Sequence, residues 1–408
     1  MNGNHLREML LETPAPGEKE TQARGLEVAH AAFAEREPQQ RRRVLPRLGV
    51  AFSAGLLAAA LALSPAGAEV RRWIGDAFSE VPKAEHALTE VPGGGRLLVQ
   101  SQDGPWVVQP DGSRRLLGRY DDATWSPRGL FVAAVSGNTL SAVEPDGDPR
   151  WAISSNAPLA DPRWSPSRFR IAYRAGHELR VIAADGTGES LVDPQVAPVP
   201  PAWLPLGLNL LAYVDSAGGL RIVNTDTGET LDSAKALTGI EALDWAADGS
   251  SLLEKSRRSL RIRQVHAGKL MSDLKLGAAK QIALPAGASV AAAASSPVGK
   301  PVAASLELPG IGKRPPHSEI TLIAAGRASR RPLFSAPGRL SDLTWSPDGT
   351  RLLISWRETG QWLFIPTRGG GHVDAFSEIS REFAPGDSGP SFPSIDGWCC
   401  TPSFELAG

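Results

Sequence analysis

Apolar and polar residues alternate along most of this chain, which is the pattern of half-buried β-strands. The segments "ELRVIAAD" from Glu178, "GLRIVNTD" from Gly219 and "RLLIS" from Arg351 show the alternation clearly. Turn residues separate such segments, and frequent Asp-Gly pairs supply the positive φ that tight turns need. No helical period of comparable length follows Pro82. The pattern predicts an all-β protein built from short strands and hairpins.

The strands belong to a repeat that is marked by tryptophan. Five tryptophans start successive units: Trp125, Trp164, Trp203, Trp245 and Trp345. The first three intervals are 39, 39 and 42 residues, whereas the last is 100 residues long. Midway along that last interval, Ser295-Ser296-Pro297 stands in for the Trp-Ser-Pro of other units. A period of about 40 residues with roughly four strands per unit is typical of β-propeller blades.

These five tryptophans are predicted to be structural blade residues. A blade is one twisted sheet, and both of its faces must be covered by the neighbouring blades. A large flat side chain at a fixed place in each unit fills that space, and a tryptophan buries roughly 150–250 Å². The Ser-Pro that often follows starts a turn of fixed φ. The alternative is that these tryptophans form a row of aromatic side chains that stack on a ligand. Packing between blades is preferred because it already explains why the residue recurs at a fixed place.

The repeat predicts seven blades, with six as the alternative. The segment Gly93–Gly118 is a further unit that lacks its first strand. A closed ring removes exposed sheet edges, so a strand from elsewhere must complete this unit. The segment "SFPSIDGWCC" (Ser391–Cys400) is the natural donor. The propeller is therefore predicted over residues 84–400, with a short tail at 401–408.

An uncharged stretch near the N-terminus has the length of a membrane span. Residues 48–68 carry no charge, and about 20 apolar residues cross a bilayer as a helix. Arg41, Arg42, Arg43 and Arg47 precede the stretch, so the positive-inside rule places the N-terminus in the cytoplasm. Residues 1–47 then form a partly helical cytoplasmic tail, and 48–68 form a single-pass transmembrane helix that anchors an extracytoplasmic propeller.

The flanks of this stretch add one element and one alternative. Apolar residues at helical spacing in 69–83, among them Val70, Trp73 and Ile74, predict a juxtamembrane amphipathic helix. Ala66-Gly67-Ala68 fits a signal-peptidase site, so cleavage after Ala68 is the alternative to a retained anchor. Both interpretations place the propeller outside the cytoplasm. A third alternative, a buried helix of a soluble protein, does not.

The segment "WSPDGTRLL", which starts at Trp345, resembles the repeat of TolB-type and WD-like propellers, and the resemblance covers about Gly93 to Ser380. The arginine cluster, the single span, "GPWVVQPDGSRRLLGRY" from Gly104 and the late "DGWCC" also resemble a group of actinobacterial single-span membrane proteins with an outer propeller. The resemblance implies fold and topology but no particular chemistry. An anchor replaces the globular N-terminal domain of TolB-type proteins, so their partners are not carried over.

Charge and motifs point away from several function classes. The 408 residues carry a formal net charge of -1, which gives no field that would favour nucleic acid. The histidines are scattered singly, without the spacing of a metal site. "GDSGP" (Gly386–Pro390) is similar to a serine-protease motif, but no matching histidine stretch accompanies it. We therefore expect no catalytic residues, no cofactor and no metal, and the Pro- and Gly-rich Leu308–Ser318 is expected to be a projecting loop.

The two cysteines are adjacent, at Cys399 and Cys400. In an oxidising compartment they can form a vicinal disulfide, whose ring is strained because neighbouring Cα atoms are only about 3.8 Å apart. The alternatives are two buried thiols that pack the closing strand, or pairing between chains. The sequence leaves all three open.

The fold predicts a binding protein rather than an enzyme. Propellers present a rigid ring of loops, and many bind proteins or peptides there, although the fold alone does not define function. We expect a protein- or ligand-binding scaffold or sensor at the cell envelope, with a protein or peptide partner. The alternative is an envelope hydrolase or lyase, which would require carboxylates or histidines that converge at the mouth of the channel.

Overall fold

The computed structural model describes residues 87–167, 169–206, 208–266, 273–312, 315–324, 329–368, 371–384 and 391–400. The predicted tail (1–47), span (48–68), juxtamembrane helix (69–83) and C-terminal tail (401–408) lie outside these residues, as does "GDSGP". Within the described ranges, no helix has the length and apolar character that a membrane crossing needs.

Among the described residues, twenty-eight strands form seven antiparallel sheets of four strands each. Blade 1 contains β1 (Arg96–Ser101), β2 (Gly104–Val108) and β3 (Arg114–Leu116). Blade 2 contains β4 (Asp122–Trp125), β5 (Val132–Ser136), β6 (Thr139–Val143) and β7 (Pro149–Ser154). Blade 3 contains β8 (Leu159–Trp164), β9 (Arg170–Ala175), β10 (Glu178–Ala183) and β11 (Ser190–Asp193). Blade 4 contains β12 (Ala202–Trp203), β13 (Leu210–Val214), β14 (Gly219–Asn224) and β15 (Thr230–Lys235).

The remaining blades follow the same order along the chain. Blade 5 contains β16 (Ile240–Trp245), β17 (Ser251–Ser256), β18 (Ser259–His266) and β19 (Lys275–Gln281). Blade 6 contains β20 (Ser289–Ser295), β21 (Pro301–Leu308), β22 (His317–Ala324) and β23 (Arg330–Pro337). Blade 7 contains β24 (Leu340–Trp345), β25 (Arg351–Trp356), β26 (Gln361–Pro366) and β27 (Asp374–Phe376). A 3₁₀ turn (Arg357–Thr359), a short helix α1 (Ile379–Glu382) and β28 (Ser394–Cys399) complete the described elements.

The C-terminal strand closes the ring. β28 pairs antiparallel with β1, from Arg96 opposite Cys399 to Gln100 opposite Ser394, and so becomes the first strand of blade 1. The predicted donor segment and the count of seven blades are therefore confirmed. The expected loop at Leu308–Ser318 is the connection between β21 and β22, and Leu308 pairs directly with His317 at its base.

The tryptophans connect each blade to the one before it. Trp203 Nε1 donates a hydrogen bond of 2.8 Å to the backbone oxygen of Arg163. Trp245 Nε1 donates in the same way to Ala202, and Trp345 Nε1 to Ala294, both at 3.0 Å. These indoles are at most 7% exposed. Each acceptor lies one position before the Trp or its Ser295 substitute, so the indole fills the interface and also satisfies an edge carbonyl.

Trp125 and Trp398 occupy equivalent positions in blades 2 and 1, where the ring closes. Trp125 pairs with Val132 in blade 2, and Trp398 pairs with Leu97 in blade 1 at the corresponding position. Trp398 is therefore a blade tryptophan that the repeat analysis did not assign. Trp125 is half-buried, and its ring edge lies so close to β28 that a Cβ at Gly397 would come within 3.3 Å of it.

The serine after the tryptophan holds the turn to the second strand of the blade. The hydroxyl of Ser126 accepts the backbone N–H of Phe131 at 3.0 Å. Ser165 and Ser346 accept the N–H of Arg170 and Arg351 in the same way, at 3.2 and 2.9 Å. All three serines are buried. The Trp-Ser-Pro tripeptide thus recurs because one side chain packs against the preceding blade and the next closes a turn.

Candidate functional site in the channel wall

The first strands of the seven sheets line the central channel. Each of them is an edge strand of its own sheet, and each contacts the first strands of the two neighbouring blades. Four of these strands carry aspartates at corresponding heights: Asp122 in β4, Asp161 in β8, Asp342 in β24 and Asp396 in β28. They belong to blades 7, 1, 2 and 3, which are consecutive around the ring.

Bulges in these strands set the direction of three of the aspartates. The pairing register shifts next to Asp161 in β8 and next to Asp342 in β24, and these residues have φ of 54° and 50°. Aspartate tolerates this left-handed conformation better than most residues. In β28 the shift leaves Asp396 without a partner between Ile395 and Gly397. A bulge re-aims the extra side chain, here at the inner edge of the sheet.

Hydrogen bonds hold most of these carboxylates. The backbone N–H of Asp161 donates to Asp122 Oδ2 at 2.8 Å and thereby joins blades 2 and 3. The carboxylate of Asp161 accepts Arg174 Nε at 2.5 Å, and that of Asp342 accepts Arg357 Nη2 at 2.9 Å. The carboxylate of Asp396 has no such arginine partner among the described residues.

Asp396 has the most perturbed environment of the group. Loss of hydration raises its pKa to about 7, and the negative charge of Asp122 adds to the effect. Arg163, in blade 3, opposes the rise. By surface area Asp396 is exposed, and it lies on the edge strand of blade 1 that lines the channel. Water in a channel hydrates a charge less well than bulk water does, so the exposure of Asp396 agrees with its raised pKa.

Two other aspartates of the inner strands also have raised pKa values. Loss of hydration raises the pKa of Asp122, against the attraction of Arg163 and the hydrogen bond from Asp161. Loss of hydration likewise raises the pKa of Asp244, in blade 5, to about 6, although its carboxylate accepts the N–H of Ser295 at 2.6 Å. Perturbed carboxylates in a concave site are the usual mark of binding or catalysis.

The raised pKa of Asp396 predicts a pH-dependent stability. The folded chain keeps this proton up to a pH of about 7. The unfolded chain releases it near the ordinary pKa of aspartate, about 3.9. The contribution of this group to the free energy of unfolding therefore falls as the pH rises across that window. Asp396→Asn should be more stable than the wild type at pH 8 by about 1 kcal/mol, allowing for the channel water, and not at pH 4.

Urea unfolding of both proteins across the pH range measures this difference. Asp103→Asn, in the β1–β2 turn of the same blade, is the matched control for the loss of one carboxyl group. A difference between Asp396→Asn and the wild type that is constant with pH would contradict the assignment.

Some of the residues singled out in the sequence lie elsewhere. Cys399 ends β28 at the border of blade 2 and Cys400 follows it, with Cα atoms 3.7 Å apart and both sulfur atoms beside Gly129. The vicinal disulfide stays a prediction, which mass spectrometry of the alkylated, unreduced protein would test. In the part of the chain that the structure describes, no three His, Cys, Asp or Glu residues are placed to hold a metal ion.

The chain is similar to solved structures of other proteins. The β-propeller domain of Cps50 (Swd1) from Myceliophteria thermophila superimposes with a TM-score of 0.53 at 17% identity, over 71% of this chain and 98% of that domain. Hsv2 from Kluyvelomyces marxianus aligns with a TM-score of 0.47 at 13% identity, over 66% of this chain and 88% of that protein. No protein-family model and no curated protein matches the sequence.

The first of these likenesses, together with the seven sheets, defines the class: a seven-bladed WD-like β-propeller. The resemblance to TolB-type proteins and to the actinobacterial membrane proteins remains a prediction from the sequence.

Proposed function

We propose that this chain is a membrane-anchored, extracytoplasmic β-propeller that binds a protein or peptide partner at its channel. One observation supports the binding role above the others: Asp342, Asp396, Asp122 and Asp161 stand on the inner strands of four consecutive blades. Clustered carboxylates on a rigid ring favour a partner that inserts a lysine or arginine side chain. The anchored topology is supported by the uncharged stretch at 48–68 and by the arginines before it.

The repulsion between carboxylates in the cluster is only partly offset within the fold, which favours binding of a cation. Asp122 and Asp396 lie close enough that the charge of one raises the pKa of the other. Arg163 offsets part of this repulsion. A cationic side chain between the two carboxylates would relieve the rest, and a site that is already poorly hydrated has little water to lose.

The binding prediction concerns a basic peptide. N-acetylated tri-arginine amide should bind the wild-type propeller, and the double variant Asp122→Asn, Asp396→Asn should bind it at least about tenfold more weakly, which corresponds to about 1.4 kcal/mol. Fluorescence anisotropy of the labelled peptide measures both. The single variant Asp103→Asn removes a carboxylate outside the channel and should bind like the wild type. Equal affinities for all three proteins would rule out the channel carboxylates as the binding site.

The topology has its own test. Full-length protein expressed with a C-terminal tag should sediment with membranes and remain in the membrane pellet after a carbonate wash. A variant that lacks residues 48–68 should stay in the cytoplasm. Protease added outside the cell membrane should digest the propeller and spare residues 1–47. A mature chain whose N-terminal residue is Glu69 would show instead that the segment is a cleaved signal peptide.

A second function, an envelope hydrolase or lyase, is favoured by one observation. A carboxyl group with a pKa of about 7, as Asp396 has, can donate or accept a proton at neutral pH. Asp122 would be its charged partner, as two carboxylates with separated roles are in glycoside-cleaving enzymes. We place this second because hydrogen bonds from protein groups occupy Asp161, Asp342 and one oxygen of Asp122. Turnover of envelope glycans or peptides that Asp396→Asn abolishes would reverse the order.

A further inference from the structure

We propose that a pocket between blades 1 and 2 binds a carboxylate of an acidic peptide segment through Arg96 and Arg115. The inference rests on the proposed function for the kind of partner, and it adds a second contact of opposite charge. The pocket lies at the ends of the blades where β4 turns into β5, and its volume is about 630 Å³. Blade 1 contributes three arginines to the wall, Arg96, Arg114 and Arg115, and blade 2 contributes Leu130, Glu144 and Asp146.

Arg96 is a half-buried cation without an acidic partner. Its Nη2 donates to the backbone oxygen of Gly129 at 2.8 Å, and its guanidinium lies 5.2 Å from the centre of the Trp125 ring. No carboxylate in the described part of the chain forms an ion pair with it, and burial lowers its pKa. A guanidinium has five N–H donors in a planar fork that matches a carboxylate. Here the carbonyl and the ring hold the fork in place, and Arg96 lines the cavity.

The other two arginines differ in what they already bind. Arg114 forms an ion pair with Glu382 and lies over the ring of Phe383, so its charge is compensated within the fold. Arg115, the next residue of β3, is exposed, and among the described residues it has no ion pair. Two guanidinium groups with uncompensated charge therefore border the same cavity.

The carboxylates of the wall do not cancel these charges. Glu144 is paired with Arg150, which is not among the residues that line the cavity. Asp146 is exposed in the β6–β7 turn, where its side chain accepts the N–H of Asp148 at 3.1 Å. Arg96 and Arg115 against Asp146 leave a net positive charge in the pocket, which favours an anion.

An apolar lip selects a peptide over a free anion. Leu130 is 59% exposed at the edge of the pocket. The equivalent turns of the next two blades also expose a large apolar side chain, with Phe169 at 68% and Leu206 at 45%. A ligand that places a carboxylate on the arginines and an apolar side chain on Leu130 would use both features. A peptide with alternating Glu and Leu has this chemistry.

The opposite charges of the two contacts would orient the partner. The channel carboxylates attract a basic segment, whereas the pocket attracts an acidic one. Complementary charges of both signs fix the register of a partner and reject the reversed arrangement.

The probe is an N-acetylated, C-amidated tetrapeptide of sequence Glu-Leu-Glu-Leu, with Gln-Leu-Gln-Leu as its neutral counterpart. Isothermal titration calorimetry on the folded propeller should show binding of the acidic peptide and at least a tenfold weaker interaction with the neutral one. Arg115→Gln, which removes an exposed charge, should weaken binding of the acidic peptide about tenfold. Arg96→Lys tests the fork and should also weaken binding, with circular dichroism as the check that the ring is still folded.

The control is Arg128→Gln, because Arg128 is exposed one residue before Gly129 and does not line the pocket. It should bind the acidic peptide as the wild type does. Equal losses in Arg115→Gln and Arg128→Gln would show non-specific attraction, and equal binding of both peptides would show an apolar contact only; either result overturns the inference. If the wild-type propeller still binds the tri-arginine peptide in that case, the proposed function stands. If it binds neither the tri-arginine peptide nor the acidic peptide, both the proposed function and this inference are rejected.

Discussion

A chain that ends before Ser394 should not form a stable propeller. Without β28, strand β1 has an unpaired edge, and blade 1 keeps only three strands. Trp398 would also be missing from the core cluster that it forms with Leu97, Leu353 and Phe364 between blades 7 and 1. We expect loss of the cooperative thermal transition and aggregation, because an open edge and an uncovered core favour association.

A chain that ends after Cys400 is the matched control, since it retains all of β28. Its melting temperature should stay within a few degrees of the full-length value. A synthetic peptide of residues 391–400 added to the shortened chain should restore part of the transition, because an extended peptide can pair with a free sheet edge. A shortened chain that melts like the control would mean that the ring does not depend on its C-terminal strand.

Trp245→Ala should cost the protein about 3–5 kcal/mol of unfolding free energy, the range for loss of a large buried aromatic side chain. Trp245 is 5% exposed and packs between blades 4 and 5 with Leu204, Leu243 and Leu252. The substitution leaves a cavity there and removes the donor to the Ala202 carbonyl. Trp245→Phe keeps one aromatic ring but loses the N–H donor and part of the indole volume, so a smaller loss of about 1–2 kcal/mol is expected.

Urea unfolding of the propeller measures both substitutions. The control is Phe169→Ala, since the Phe169 side chain is 68% exposed and its removal should change stability by less than about 0.5 kcal/mol. A loss in Trp245→Ala as small as in Phe169→Ala would show that the repeated indoles do not hold the blades together.

The channel cluster was only partly visible in the sequence. Asp122, Asp161 and Asp342 each stand three residues before a blade tryptophan, and this shared offset was the signal that could have found them. Asp396 lacks the offset, because it precedes Trp398 by two residues at a bulge. The proximity of Asp396 to Asp122 depends on the closure of the ring, which brings together positions that are far apart in the chain.

The blade could be predicted from the amino-acid sequence, because each of its parts is a local effect: alternation makes strands, Asp-Gly makes turns, and Trp-Ser-Pro repeats one packing contact and one turn. The sequence also indicated the donor of the closing strand, since an incomplete first unit requires one. The three-dimensional fold was needed to show which carboxylates share the channel and that Arg96 borders a cavity without an acidic partner. Both depend on contacts between blades, where the partners of a side chain are set by ring closure and bulges rather than by its neighbours in sequence.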